Sequence, residues 1–382
     1  MSQKRYSSAL RIGKLLRQQL EQDPHFYLFS PDETTSNHLD AVFDVTERAW
    51  DLPRRAWDLP EATEGRIVEM LSENVLFSTM TGHLLNGEQA MMTSYEAFLP
   101  IITSQLLQQV KFLKQANTVN WRPKYPAVNL LSTSTCWRQD HNGFTHQSPA
   151  LISMLLELPS GLSNCYFPVD DNSAATIFTK MLESRNVVNL TTFNKTEEPR
   201  WLTEKQASEQ LETGAITLEK VSDQDPEIIF TAAGDIMTRE AIAAMEILRQ
   251  DLPKLKLRFV SIAALSYQAI GTTNKPLSKV QFQKHFGSEQ PIIANFHGYP
   301  EALHSILAHY TTPDHISVHG YQDHGSTTTP FEMLALNETS RYHLCIDAVK
   351  RLKKPQLVQK YQKIIAENHQ HALDFGVDKI EI

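Results

Sequence analysis

Val128-Asn129-Leu130-Leu131-Ser132-Thr133-Ser134-Thr135-Cys136-Trp137-Arg138-Gln139-Asp140-His141-Asn142-Gly143-Phe144-Thr145-His146-Gln147 changes character twice along its length. An apolar run, Val128 to Leu131, gives way to small polar residues. From Trp137 to Gln147 there follow two imidazoles, three amides and a carboxylate. A core strand cannot carry that load, because each buried amide or imidazole left unpaired costs about 1–3 kcal/mol. The stretch therefore reads as a strand ending in a polar loop. In parallel α/β sheets the crevice beyond the carboxyl ends of the strands is where ligands sit, so the fold class expected is α/β.

Working outward, the same rhythm recurs. Residues 8 to 22 space Leu10, Ile12, Leu15, Leu16 and Leu20 along one face of a helix. Residues 25 to 29 read as a buried strand feeding the polar loop 31–38. From 65 to 85 the apolar positions predict a buried helix carrying Glu69 and Glu73, broken by Gly82 and Gly87, and 95 to 112 predicts a second helix. Strands are expected at 127–131, 164–169 and 187–193, with helices at 150–158 and 174–182. A charged, Thr-rich stretch from 194 to 226 reads as a linker. Beyond it come strands at 227–235, 256–262 and 292–296, with a helix at 239–250. Such alternation implies parallel sheets, and 382 residues suit two cores better than one. Two consecutive domains are expected, 1–214 and 215–382, each a mainly parallel sheet flanked by helices.

The net charge of −8, with no basic block, argues against nucleic acid or an anionic membrane as the partner. No apolar run approaches the roughly 20 residues of a membrane span, and the opening residues lack the apolar core of a signal peptide. Cys136, Cys165 and Cys345 lie far apart and are odd in number, the pattern of reduced thiols in a cytoplasmic protein.

Among polar residues, His141, Asn142 and His146 are candidates for proton transfer and orientation, since imidazole titrates near neutrality. Glu73 sits among apolar neighbours, where a carboxylate must be paired or shifted in pKa; a structural ion pair is the plainer reading. His297, His304, His309, His315, His319 and His324 crowd the second half without the Cys or H-E-x-x-H spacing of a zinc site. The segment 320–330, rich in Gly and Thr, reads equally as a phosphate cradle or as a loop before a helix at 331–336. No G-x-G-x-x-G, P-loop or nucleophile-elbow motif occurs.

Nine segments, in order, carry a resemblance. They are Pro31-Asp32-Glu33-Thr34 with Ser36-Asn37, Met70 to Glu73, Ser94 to Phe98, Trp137 to Gln147, Tyr166 to Asp170, Trp201 to Thr203, Ala233-Gly234-Asp235, His297 to Pro300, and Gly320 through Phe331. Together they resemble the second half of a phosphoketolase, a thiamine-diphosphate enzyme that cleaves xylulose 5-phosphate or fructose 6-phosphate with inorganic phosphate to acetyl phosphate. The resemblance implies a pyrimidine-binding domain followed by a transketolase-like C-terminal domain. It implies that Glu73 hydrogen-bonds the aminopyrimidine of the cofactor and promotes its proton transfer, overriding the ion-pair reading. Tyr95 and Phe98 match cofactor-lining positions, and Ser36, His38, Gln139, His141, Asn142, His146 and Lys195 match the substrate side, with His141 and His146 handling protons.

The resemblance also implies something missing. The G-D-G motif that holds Mg²⁺ and the diphosphate in the family's preceding half has no counterpart here; Gly234-Asp235-Ile236 comes nearest, in the other domain. No metal ligand is expected within this chain, and the implied partners are a separate chain bearing the diphosphate-binding domain and further copies in a homo-oligomer. Departures from the family pattern are His38 for an arginine, Asn74 for a histidine, and Asn194-Lys195-Thr196-Glu197 for G-K-Q-P. Imidazole cannot make the bidentate contact a guanidinium makes with phosphate. The expected function is thus half of a phosphoketolase, inactive alone; the alternative is a degenerate, non-catalytic homologue with a binding or scaffold role.

Overall fold

The computed structural model describes residues 4–380 apart from Asp32, Leu59, Pro159, Ser160, Asp323, His324 and Ser326. His324, and the Asp32 and Ser326 positions of the motifs above, lie outside the described residues, as does part of the suggested cradle at 320–330.

The larger sheet runs, in spatial order, Lys275–Pro276, Ala269–Thr272, Ala264–Ser266, Ser163–Tyr166, Val188–Thr192, Val128–Thr133, Ala90–Tyr95, Tyr27–Ser30, Ile67–Glu69, Arg48–Ala49, Glu61–Ala62. From Ser163–Tyr166 onward every pairing is parallel. All of Val128–Thr133 is buried. The period-2 pleat sends Val128 and Leu130 into one apolar layer and Leu131 into the other. The smaller sheet runs Ala215–Thr217, Leu257–Ile262, Ile228–Ala233, Ile292–Phe296, Ile316–His319, parallel except for its first pair. Helices Asp235–Asp251 and Arg341–Arg351 pack on one of its faces, and Pro355–Phe375 packs on Arg341–Arg351.

The chain changes sheet at Ala215, but it does not stay away. After Ile262 the hairpin of Ala264–Ser266 and Ala269–Thr272 returns to the larger sheet, pairing antiparallel with Ser163–Tyr166 through Ala264↔Tyr166 and Leu265↔Cys165.

Three expected elements differ. The helix read from 65 to 85 is a strand, Ile67–Glu69, then a helix, Glu73–Asn86. The β-branched Ile67 and Val68 pair beside Tyr27–Ser30, and Ser72 starts the helix by accepting from the Val75 N–H. Gly82 sits inside that helix with open space where a Cβ would lie, whereas left-handed Gly87 (φ 92°) ends it. The helix read from 95 to 112 begins only at Thr103, because 90–95 is a central strand and Pro100 opens a separate short turn, Leu99–Ile102. The stretch read as a linker holds a helix, Glu204–Thr213, started by a Thr203/Gln206 capping box and stopped at Gly214 (φ 81°). No helix among the described residues is long and apolar enough to cross a membrane.

Candidate active site

The carboxyl ends of the two parallel sheets meet. Glu96, Trp137 and Asn194 follow strands of the larger sheet; Asp235, His297 and Tyr321 follow strands of the smaller. Asn194 N–H donates to Asp235 Oδ2 (2.9 Å), Trp137 Nε1–H to the His297 carbonyl (2.9 Å) and Tyr321 O–H to the Gln147 carbonyl (3.2 Å). Beside this seam lie the residues singled out in the sequence.

Glu73 is the first residue of its helix, 9% exposed, where the helix dipole favours an anion. Its hydrogen bond among the described residues is a long one, 3.4 Å, from Ser94 Oγ. The next residue, Tyr95, stacks on Phe98 (ring centroids 5.9 Å apart, planes 9° apart), and His146 meets Phe98 edge-on at 5.1 Å. Tyr95 Oη and Ser36 Oγ are 3.2 Å apart; Lys195 Nζ donates to the Ser36 carbonyl (3.1 Å) and lies 5.3 Å from the Tyr95 ring centre. Ser36, Tyr95, Phe98, His146 and Lys195 thus share one wall, with Glu73 joined to it through Ser94.

The 137–147 loop leaves its strand through Ser134, left-handed at φ 47°, whose hydroxyl donates to Asn37 Oδ1 at 3.0 Å. That bond offsets the roughly 1–2 kcal/mol such a conformation costs. Buried Gln139 anchors the loop: its Oε1 accepts from Asn142 Nδ2 (2.6 Å) and its carbonyl from Gln147 Nε2 (2.8 Å). Asn142 Nδ2 in turn lies 3.3 Å from His141 Nε2, and Thr145 Oγ1 holds His146 Nδ1 at 2.8 Å. His141 and Asn142 are exposed. His38 stands apart: its backbone is left-handed (φ 60°) and its exposed side chain makes no hydrogen bond with this set.

Sequence reasoning passed over Glu33, although it lies inside a quoted motif. Its Oε2 accepts the Tyr95 N–H at 3.0 Å. Burial raises its pKa, and the nearby Glu73 charge adds to the rise. Together they outweigh the Tyr95 N–H and Lys195 and push it up to about 8, so Glu33 carries a proton at neutral pH. The folded state therefore holds an extra proton between pH 4.5 and 8, and stability falls as pH rises through that window. Glu33→Gln keeps the acceptor for Tyr95 and removes the titration. Urea midpoints should show the variant gaining on the wild type from pH 5 to pH 8, by about 1.4 kcal/mol per pH unit at most; parallel profiles would sink this assignment.

Glu96, Cys136 and His297 bring donor atoms within 4.8 Å of one another, all buried. They are engaged already. Glu96 Oε2 accepts the Cys136 N–H (2.7 Å) and Oε1 lies 2.8 Å from His297 Nε2. Burial and then Glu96 hold the Cys136 thiol far above its ordinary range. The trio is a hydrogen-bonded latch between the sheets. In the second half, a cavity of about 490 Å³ is lined by His319, His343, Asp347 and His369 among others. Each imidazole there is tied to a neighbour: His319 to Asp347, His343 to Ser340, His369 to Glu332.

The two sheets, joined at their carboxyl ends, define a transketolase-like α/β protein. A transketolase from Pichia stipitis, solved with sedoheptulose 7-phosphate, superposes with a TM-score of 0.69 at 16% identity, over 95% of this chain and 47% of that one. A split-gene transketolase, described as an inactive β4 tetramer, matches at 0.60 and 16% identity, over 93% of this chain and 97% of that one. The family described as D-xylulose 5-phosphate/D-fructose 6-phosphate phosphoketolase matches residues 10–184, and its C-terminal domain matches 195–382. Probable phosphoketolases of Brucella abortus and Thermosynechococcus vestitus are 35% and 36% identical over 97% of this chain. The chain belongs to the phosphoketolase family. It spans about half the length of the curated relatives it matches, 48% and 47% in these two cases.

Proposed function

We propose that this chain is one half of a thiamine-diphosphate-dependent phosphoketolase. The reaction would cleave xylulose 5-phosphate or fructose 6-phosphate with inorganic phosphate into acetyl phosphate and a shorter aldose phosphate. Mg²⁺ and the diphosphate would be held by a separate chain. The observation that carries the reading is Glu73: a carboxylate 9% exposed, at a helix start, with one long hydrogen bond. A buried charge is retained at such cost only when a further partner completes it. An aminopyrimidine ring supplies that partner, and Tyr95 with Phe98 supplies the aromatic wall it would lie against.

When bound, the cofactor supplies the carbon nucleophile that accepts the two-carbon fragment. The chain's own residues do the rest. Glu73 hydrogen-bonds the pyrimidine nitrogen, with Glu33 kept neutral beside it so that the pair does not carry two charges. His141 and His146 move protons at substrate hydroxyls, Gln139 and Asn142 orient the loop that carries them, and Ser36 and Lys195 face the phosphate, which His38 would reach only by turning in from its separate place.

The need for a partner rests on the rim of this site. Leu71 (82% exposed), Met70, Val75 and Ile101 surround the start of the Glu73 helix with apolar surface open to water. A diphosphate-binding chain or a second copy would cover it, so we expect assembly, as in the protein described as a split-gene transketolase whose β4 tetramer is inactive. We further take 1–214 as the pyrimidine-binding domain and 215–382 as the C-terminal domain, in the cytoplasm. A second reading, a non-catalytic homologue, is favoured by the isolation of His38 from the other candidate residues.

Calorimetric titration with thiamine diphosphate and Mg²⁺ separates the two readings. We expect weak or no binding to the chain alone. Affinity should rise at least about tenfold, with acetyl phosphate formed, once a chain bearing the G-D-G motif is added. No binding and no turnover in the mixture would favour the homologue without activity.

A further inference from the structure

Asp378 lies past the long helix Pro355–Phe375, after Gly376 has turned the chain in a left-handed conformation (φ 70°). Its carboxylate accepts from the Thr329 hydroxyl (2.6 Å) and the Phe331 N–H (2.7 Å). It thereby caps the helix Pro330–Leu336, whose own N-cap residue makes no side-chain cap. The approach of Asp378 is fixed by Asn368, which is fully buried. Asn368 Nδ2 donates to Glu332 (2.8 Å) and to Asp378 (3.1 Å), and its Oδ1 accepts from the N–H groups of Lys379 (2.9 Å) and Ile380 (3.0 Å). With two donors and one carbonyl, this amide has no capacity left over.

The same segment of the second half bears on the candidate loop from its other side. Thr328 N–H donates to the Asp140 carbonyl at 2.8 Å, next to His141. A Cβ on Gly325 would stand 2.0 Å from the Phe144 ring, so the backbone there is pressed against the loop's exposed aromatic. Tyr321 O–H reaches the Gln147 carbonyl, where the loop ends. Start, middle and end of the loop that carries His141, Asn142 and His146 thus rest on Thr328, Gly325 and Tyr321, and the chain just beyond Thr328 is held by Asp378 through Thr329 and Phe331.

We propose that residues 376–380 are a clasp that sets the geometry of the 137–147 loop, with Asp378 as a positioning residue for its imidazoles. The role in turnover rests on the phosphoketolase reading; the role in ordering the loop does not. Asp378 is linked to the neighbour of His141 through Thr329, the adjoining Thr328 and its bond to the Asp140 carbonyl.

Hydrogen–deuterium exchange on the full chain tests the clasp without any need for activity. In Asp378→Ala, peptides covering 137–147 and 325–333 should exchange about tenfold faster, and the strand 188–192 should not change. Thr329→Val, which removes a single hydroxyl from a partly exposed position, should show the same pattern at about threefold and guards against a misfolded Asp378 variant. Asp378→Asn, which keeps one acceptor oxygen, should fall between. Faster exchange at 325–333 with an unchanged loop, in both Asp378→Ala and Thr329→Val, overturns the proposal. In the active mixture, Asp378→Ala should lower kcat about fivefold with KM for the sugar phosphate within about twofold, because the imidazoles it positions transfer protons; a kcat equal to wild type overturns the positioning role. An absence of all turnover would instead count against the functional reading and leave the exchange result to decide the clasp.

Discussion

In the two-chain phosphoketolase proposed above, Glu73→Ala should abolish acetyl phosphate formation, a fall of about 10³-fold or more in kcat, while leaving the fold intact. A positioned proton-transfer group is worth roughly 10²–10⁴ in rate, and no neighbour can replace this one. Glu33 is a neighbouring carboxyl, but it is engaged by the Tyr95 N–H and protonated at neutral pH. Stability should change little, because the helix start is held by Ser72 and Glu73 gives up one weak bond from Ser94. The substitution has a second signature that needs no turnover: removing the Glu73 charge should lower the pKa of Glu33 and flatten the pH profile of stability. A variant with wild-type activity would remove Glu73 from the chemistry, and an unaltered Glu33 would show that the two carboxyls do not interact.

Breaking the latch between the sheets should have the largest effect on stability. Glu96→Ala strands His297, wholly buried, and the Cys136 N–H together. Removing one partner of a buried pair costs about 3–5 kcal/mol, because the other is left uncompensated. Burial pulls the His297 pKa down, but the charge and hydrogen bond of Glu96 prevail and hold it above its ordinary value. The protonation-linked part of the stability is therefore complete below about pH 6.5 and is lost as pH rises through the raised value. Urea denaturation should show the gap between wild type and variant widest at pH 6 and narrower at pH 9. A loss below about 1 kcal/mol at pH 6 would mean that the pair is not what joins the halves.

Local patterning made much of this legible. The helix over 8–22 and the strand over 292–296 stand where the spacing of apolar residues places them, because each buries one face or both without competition. The 137–147 loop was legible for the opposite reason, since no core could hold so many polar groups. What escaped was what depends on distant partners. Ala90–Tyr95 looks unremarkable in sequence, yet it is central because Tyr27–Ser30 and Val128–Thr133 flank it. Ile67 and Val68 fit a helical face as well as a strand, and only the neighbouring Leu28 and Phe29 decide. In the candidate site, Glu33 acquires its proton from burial and from Glu73, neither of which spacing reveals.

The returning hairpin at 264–272 bears on how such a chain is made. Until those residues leave the ribosome, Ser163–Tyr166 has no partner on its outer side and presents an open edge in a nascent chain. At the roughly 5–20 residues per second of protein synthesis, that edge stays bare for about 5–20 s. The first half must therefore wait for the second before it is closed, and a gene cut near residue 214 would release a product with a permanently sticky side.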